Sequence, residues 1–179
     1  MLPDPLHPAI VHFPIVLLLL GAPLAVMAVF VRKWHLPVLV ALVLALGAAG
    51  AVVATITGEQ GAELAGELAG SGEKALDEHE DWGKRTRNFG VTAAVLAILS
   101  AALVRRPAAA RIAGTVAALA AIAAAFSVAQ AGHHGGQVVY KHGIGVNAAA
   151  GAAGSSSGDL QPGKNSGQSE KQKAAKDDD

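Results

Sequence analysis

The stretch VLVALVLALGAAGAVV, Val38 to Val53, has no polar side chain. A helix of a soluble bundle carries a polar stripe on the face it turns to water. This stretch has none on any face. It is therefore read as a helix in lipid, and the chain as an integral membrane protein. The block extends from Leu36 to Ile56, and three more share its character: Ile10 to Val31, Phe89 to Val104 and Ile112 to Ala131. A bilayer core takes roughly 20 apolar residues per helix. Phe89 to Val104 is short, but Thr86 to Asn88 extend it if Arg85 and Arg87 snorkel to the interface. The expected fold class is all-α, an integral membrane four-helix bundle. Its helices are expected over residues 10–31, 36–56, 86–104 and 112–131, with an outer-face helical loop over 57–85. Together they make a folded domain over residues 1–147. Residues 148–179, rich in Gly, Ser, Ala, Lys and Asp, bury too little apolar surface to offset their ordering entropy and are expected to be a disordered polar tail.

Charge fixes the orientation. Arg32 and Lys33 join the first two helices, and Arg105, Arg106 and Arg111 join the last two, without an acid among them. By the positive-inside rule both connections face the cytoplasm. The N-terminus, the segment Thr57 to Asn88 and the tail from Gly132 then lie outside. The outer segment agrees, with eight acids against four bases. Glu59, Glu63 and Glu67 recur at a spacing that sets them along one helical face. Ser71 and Gly72 break this pattern, and a second run, Glu73 to Gly83, is expected to continue into the third membrane helix. Trp34 and Trp82 fall near the interfaces, as belt residues do. No Lys or Arg precedes the first apolar block and no clean cleavage site follows it, so that block is expected to stay as a helix rather than be removed as a signal.

Composition narrows the chemistry. Net charge is zero, which gives no electrostatic footprint for nucleic acid. The chain has no cysteine, so disulfides, thiolate catalysis, cysteine-ligated iron–sulfur clusters and covalently attached c-type haem are excluded. No nucleophile–base arrangement and no HExxH motif is visible, which argues against a stand-alone enzyme.

What remains is histidine. The topology brings His7, His12, His79, His133, His134 and His142 to the outer face, and leaves only His35 on the other. Neutral imidazole is a common ligand of metals and of haem iron. Each residue has a plainer reading. His7 fits a solvated cap. His12, just over one turn inside an apolar helix, needs a hydrogen bond or a ligand. His79 stands among Asp77, Glu78, Glu80 and Asp81, as on a solvated acidic face. His133 follows Gly132 where the fourth helix is expected to end, a common place for a capping histidine. The adjacent Gly135 and Gly136 point to something approaching the backbone closely. His134 must point away from its neighbour, and His142, followed by Gly143 and Gly145, repeats the same grammar.

HPAIVHFP (His7 to Pro14), Thr57-Gly58 and GHHGGQVVYKHGIGV (Gly132 to Val146) resemble the bacterial membrane family designated domain of unknown function 2231. The resemblance spans Leu6 to Val146. It implies a four-helix membrane protein, and its motif histidines fall on His7, His12, His133 and His142. Joining of some members to Rieske-type or cytochrome c-type domains implies an electron-transfer setting, within or beside a larger respiratory or photosynthetic complex.

Three readings follow. In the first, haem b is held between two histidines of different helices, led by His12 with His133, while His79 or His142 replaces one or serves a second site. Gly132, Gly135 and Gly136 give the macrocycle room, and Lys84, Arg85 and Arg87 meet its propionates or lipid phosphates. Two imidazole ligands leave no open iron position, so the role is electron transfer. In the second, histidines with a carboxylate such as Glu59 bind a divalent transition metal. In the third, the chain is a structural subunit of a larger complex. The first is preferred, because the third leaves the clustering of histidines unexplained.

The absence of cysteine makes the orientation directly testable. An impermeant maleimide on intact cells is expected to label Asp4→Cys and Ser71→Cys, and to label Arg106→Cys only after the membrane is opened. The reverse pattern would invert the topology.

Overall fold

The computed structural model describes residues 10–33, 35–69 and 73–141, with side chains outside 60–69. The lead-in with His7 and Pro8, Trp34, His142 and the tail over 148–179 lie outside the described residues. Four helices make up the architecture: α1 His12–Phe30, α2 Leu36–Ala69, α3 Glu73–Ala102 and α4 Pro107–Tyr140. Each packs on its neighbours in the chain, and α1 also packs on α4, so the four close into a ring. The expected all-α membrane bundle is the observed fold.

Among the described residues three stretches are long and apolar enough to cross a membrane: His12–Phe30 with mean hydropathy 2.5, Leu36–Glu59 with 2.6 and Pro107–Tyr140 with 2.1. α3 is not among them, because its first half is charged. It packs along both α2 and α4 and joins the far end of one to the near end of the other, so it returns across the membrane with them.

The bundle is built inside out relative to a soluble one. The stripe buried on α3 is Thr86, Gly90, Ala93, Ala94, Ala97 and Ser100, and that on α4 is mostly alanine. Large apolar side chains face outward, such as Phe30 at 81%, Ile112 at 67% and Leu119 at 62% exposure. In lipid, hydrophobic exclusion does not drive helices together. Close packing does, and small residues permit it. The two large side chains that are fully buried, Leu18 and Leu44, each sit on a glycine of a neighbouring helix. A Cβ on Gly21 would stand 2.6 Å from Leu44 Cδ2, and one on Gly90 would stand 3.4 Å from Leu18 Cδ2.

Helix ends depart from the sequence expectation. α1 starts at His12, so Pro14 occupies the first turn, where its missing N–H removes no intrahelical bond. His12 directly follows Val11, the N-cap of this helix, and is exposed. α2 runs on past Ile56 to Ala69, and α3 begins at Glu73, so the expected second run from Glu73 to Gly83 does continue into the third membrane helix. What was expected as an outer loop over 57–85 is therefore two helix extensions. Ala, Glu, Leu and Lys dominate there and favour helix. The hydroxyls of Thr55 and Thr57 donate back to helix carbonyls three and four residues earlier, which satisfies them within α2. α4 starts with Pro107 at a first-turn position and continues nine residues past its expected end at Ala131, to Tyr140. Helices of 34 residues are about 51 Å long at about 1.5 Å per residue, against about 30 Å of hydrocarbon. α2 and α4 thus project well beyond the bilayer.

The end of the bundle that carries Arg32 is stitched shut. The Arg32 guanidinium donates to Ser100 Oγ at 3.3 Å and to the Ser100 carbonyl at 3.2 Å, while Ser100 Oγ donates to the Ala110 carbonyl at 2.7 Å. The Ser100 carbonyl is one of the last in α3, which lack partners within their own helix. Gly114 makes this possible, since a Cβ there would lie 2.9 Å from Ser100 Oγ. Gly114→Val is expected to force α3 and α4 apart and to cost about 1–3 kcal/mol, the usual range for overpacking. Denaturation in detergent micelles measures it, and an unchanged midpoint would contradict the stitch.

Candidate functional site

At the opposite end the helices do not close. A cavity of about 370 Å³ lies between all four of them. α1 contributes Val11, Pro14, Ile15 and Leu18, its first turns. α2 contributes Ala51, Ala54 and Thr55, then Gly58 and Glu59. α3 presents His79, Gly83 and Thr86, and α4 presents Val128, Ala131, Gly135 and Val138. Small residues line this level, among them Ala51, Ala54, Gly58, Gly83, Ala131, Gly132 and Gly135, and leave the space between the helices. Its volume falls within the range of about 300–1,000 Å³ typical of small-molecule sites.

The walls are apolar even where the sequence is not. Thr86, buried, donates its hydroxyl to the Trp82 carbonyl at 2.9 Å. Thr55 is tied back to its own helix in the same way. Lys84 and Glu80, which also border the cavity, pair with each other at 3.2 Å. Beside them Arg85 lies 4.5 Å from the centre of the Trp82 ring, and Trp82 meets Phe126 edge-on at 5.9 Å. This aromatic contact fixes α3 against α4 at the level of the cavity.

His79 is the histidine that borders the cavity among the described residues. It is half-buried, and its Nδ1 lies 2.9 Å from the Ala131 carbonyl oxygen. A carbonyl can only accept, so Nδ1 carries the proton. In the neutral ring the lone pair is then on Nε2. A backbone carbonyl holding Nδ1–H is the arrangement that typically orients a ligating imidazole. The ring packs over Gly135, where a Cβ would stand 2.9 Å from both Cε1 and Nδ1.

The other expected site residues fall elsewhere. His12 is exposed and does not border the cavity. His133 lies within α4, not at its end, and is exposed. Gln137 meets its Nε2 at 2.8 Å. His134, expected to point away, is the more buried of the two. Its Nδ1 lies 3.1 Å from Glu78 Oε2 on α3, not aligned as a hydrogen bond. The two rings meet edge-on at 5.3 Å. Gly132 borders the cavity with nothing within 4 Å of a Cβ position, and Gly136 meets only Tyr140, at 4.0 Å. Glu59 is exposed at the cavity rim. Among the described residues no three His, Asp or Glu side chains converge as a metal cluster. His7 and His142 lie outside the described residues. The sequence reading had no sign of the Ala131 carbonyl or the Glu78–His134 contact, because both depend on α4 continuing past Ala131.

The fold and this cavity define an integral membrane four-helix bundle with a ligand-sized space at one end. The chain belongs to the family described as predicted membrane protein, domain of unknown function 2231, whose family model matches residues 3–148. No curated protein and no solved structure matches the chain.

Proposed function

We propose that the chain is a haem b-binding electron-transfer subunit, seated in the bacterial cytoplasmic membrane with its histidine end toward the periplasm. The observation that carries this reading is His79, an imidazole with Nδ1–H fixed on a backbone carbonyl, at the edge of a four-helix apolar cavity. The donor chemistry fits haem iron, and apolar walls suit the macrocycle. His79 replaces His12 and His133 as the leading ligand, because those two are exposed and do not border the cavity. A second imidazole would come from His7 or His142. They stand four residues before Val11 and three after Val139, and both valines border the cavity. Lys84 borders the cavity and Arg85 follows it in sequence, and both would meet propionates. Held by two imidazoles, haem would supply one-electron transfer.

This chain's own part is to hold the ligand, orient His79 and exclude water. The expected redox partner is a cytochrome c-type or Rieske-type domain at the periplasmic face, or a larger respiratory or photosynthetic complex. A bare divalent metal is less well supported. Glu59, His79 and Glu80 border the same cavity, but they do not gather as a cluster.

Absorption spectra of the detergent-purified protein, oxidised and reduced, with metal analysis, test the reading. A Soret band that shifts on reduction is expected. His79→Ala should lower haem content about 10-fold or more, at least as much as loss of a supporting partner costs. His12→Ala and His133→Ala should leave the band in place. A colourless wild-type preparation without metal would overturn the proposal and leave a structural subunit.

A further inference from the structure

We infer that Gly135 is the positioning residue of this site: its missing side chain lets the His79 ring reach the Ala131 carbonyl, and so decides which ring nitrogen faces a ligand. The inference rests on His79 being the ligating group. Ala131 and Gly135 are one turn apart on the same face of α4. In a helix the Ala131 carbonyl already accepts the amide of residue 135. A second donor can reach that carbonyl only from the side, across the surface of residue 135. His79 does so, with Nδ1 at 2.9 Å from the oxygen.

A Cβ on residue 135 would stand 2.9 Å from Nδ1 and Cε1 of His79 and 3.7 Å from Nε2. The first two distances are too short to persist. The obstacle is a ring held by a hydrogen bond, not the end of a flexible chain. Any side chain at 135 therefore displaces the ring from the carbonyl. Nδ1 then loses its acceptor, and the proton is free to reside on Nε2. An Nε2 that carries a proton cannot ligate. The neighbouring glycines have no such role, since a Cβ on Gly132 meets nothing within 4 Å and one on Gly136 meets only Tyr140 at 4.0 Å. Glycine at 135 is thus needed for His79, whereas glycine at 132 and 136 is not.

Alanine at each of the three positions, in the full-length purified protein, tests this. Gly132→Ala and Gly136→Ala should unfold at the same or a higher temperature than wild type, because alanine favours helix over glycine. Gly135→Ala should unfold at a lower temperature. In the background of His79→Ala, where the clash is gone, Gly135→Ala should no longer lower it. Nitrogen-15 spectra of the imidazoles should find His79 protonated at Nδ1 in wild type and in the two control variants. In Gly135→Ala the proton should be found on Nε2. Equal behaviour of the three alanine variants, or a Gly135→Ala protein that keeps the Nδ1 proton, would overturn the inference. So would a Gly135→Ala defect that persists without His79. None of these readouts needs haem. A colourless protein with this pattern would fail the proposed function and leave the role of Gly135 standing. A haem protein without the pattern would do the opposite.

Discussion

Close contact between small residues is the constraint on which this structure depends. In lipid the helices gain little from hiding apolar side chains from each other, so they associate where backbones can approach. Alanine, glycine and serine fill the buried stripes of α3 and α4, and the two fully buried leucines are seated on glycine. The bulky side chains are turned out to the acyl chains. At one end the same closeness lets Ser100 reach the Ala110 carbonyl across α3 and α4, and Arg32 add a cap from α1. At the other end alanine and glycine leave space between the four helices, and the ring holds the cavity.

The chemistry of the cavity follows from one pairing, α3 against the extended end of α4. Two residues adjacent in α3, Glu78 and His79, contact His134 and the Ala131 carbonyl of α4. The Trp82–Phe126 contact lies about one turn further along. These contacts hold as helix a stretch, GHHGG, whose intrinsic helix preference is poor. Tertiary contact, not local preference, keeps α4 going. The result is an imidazole of defined tautomer at the wall of an apolar space, which is the physical basis of the haem proposal.

Much of the fold was legible in the sequence, because lipid imposes a coarse and strict pattern. Val38 to Val53 has no polar face, the short third block needed the residues before it, and alanine-rich helices implied close packing. Helix ends were not legible. Hydropathy marks where a chain leaves the hydrocarbon, not where its hydrogen bonds stop. Ending the last helix at Ala131 turned His133 into a cap and removed the register that sets residues 128, 131, 135 and 138 on one face. His79 and Gly135 were recognised as site candidates, but their relation was not, since a carbonyl partner leaves no trace in side-chain identity. His12 drew attention because it seemed buried in an apolar helix. A start of α1 at that residue leaves it exposed instead.

The central claim is that the outer end of the bundle holds a ligand inside the four-helix cavity. Ala54 is buried on α2 and borders that space, so Ala54→Phe fills it from a helix that carries neither His79 nor Ala131. Native mass spectrometry of protein taken from its own membranes measures what each form carries. The account predicts a bound mass equal to haem b on the wild type and its loss from Ala54→Phe, with the protein still folded. The same bound mass on both forms would contradict it, as would a wild-type protein that carries nothing.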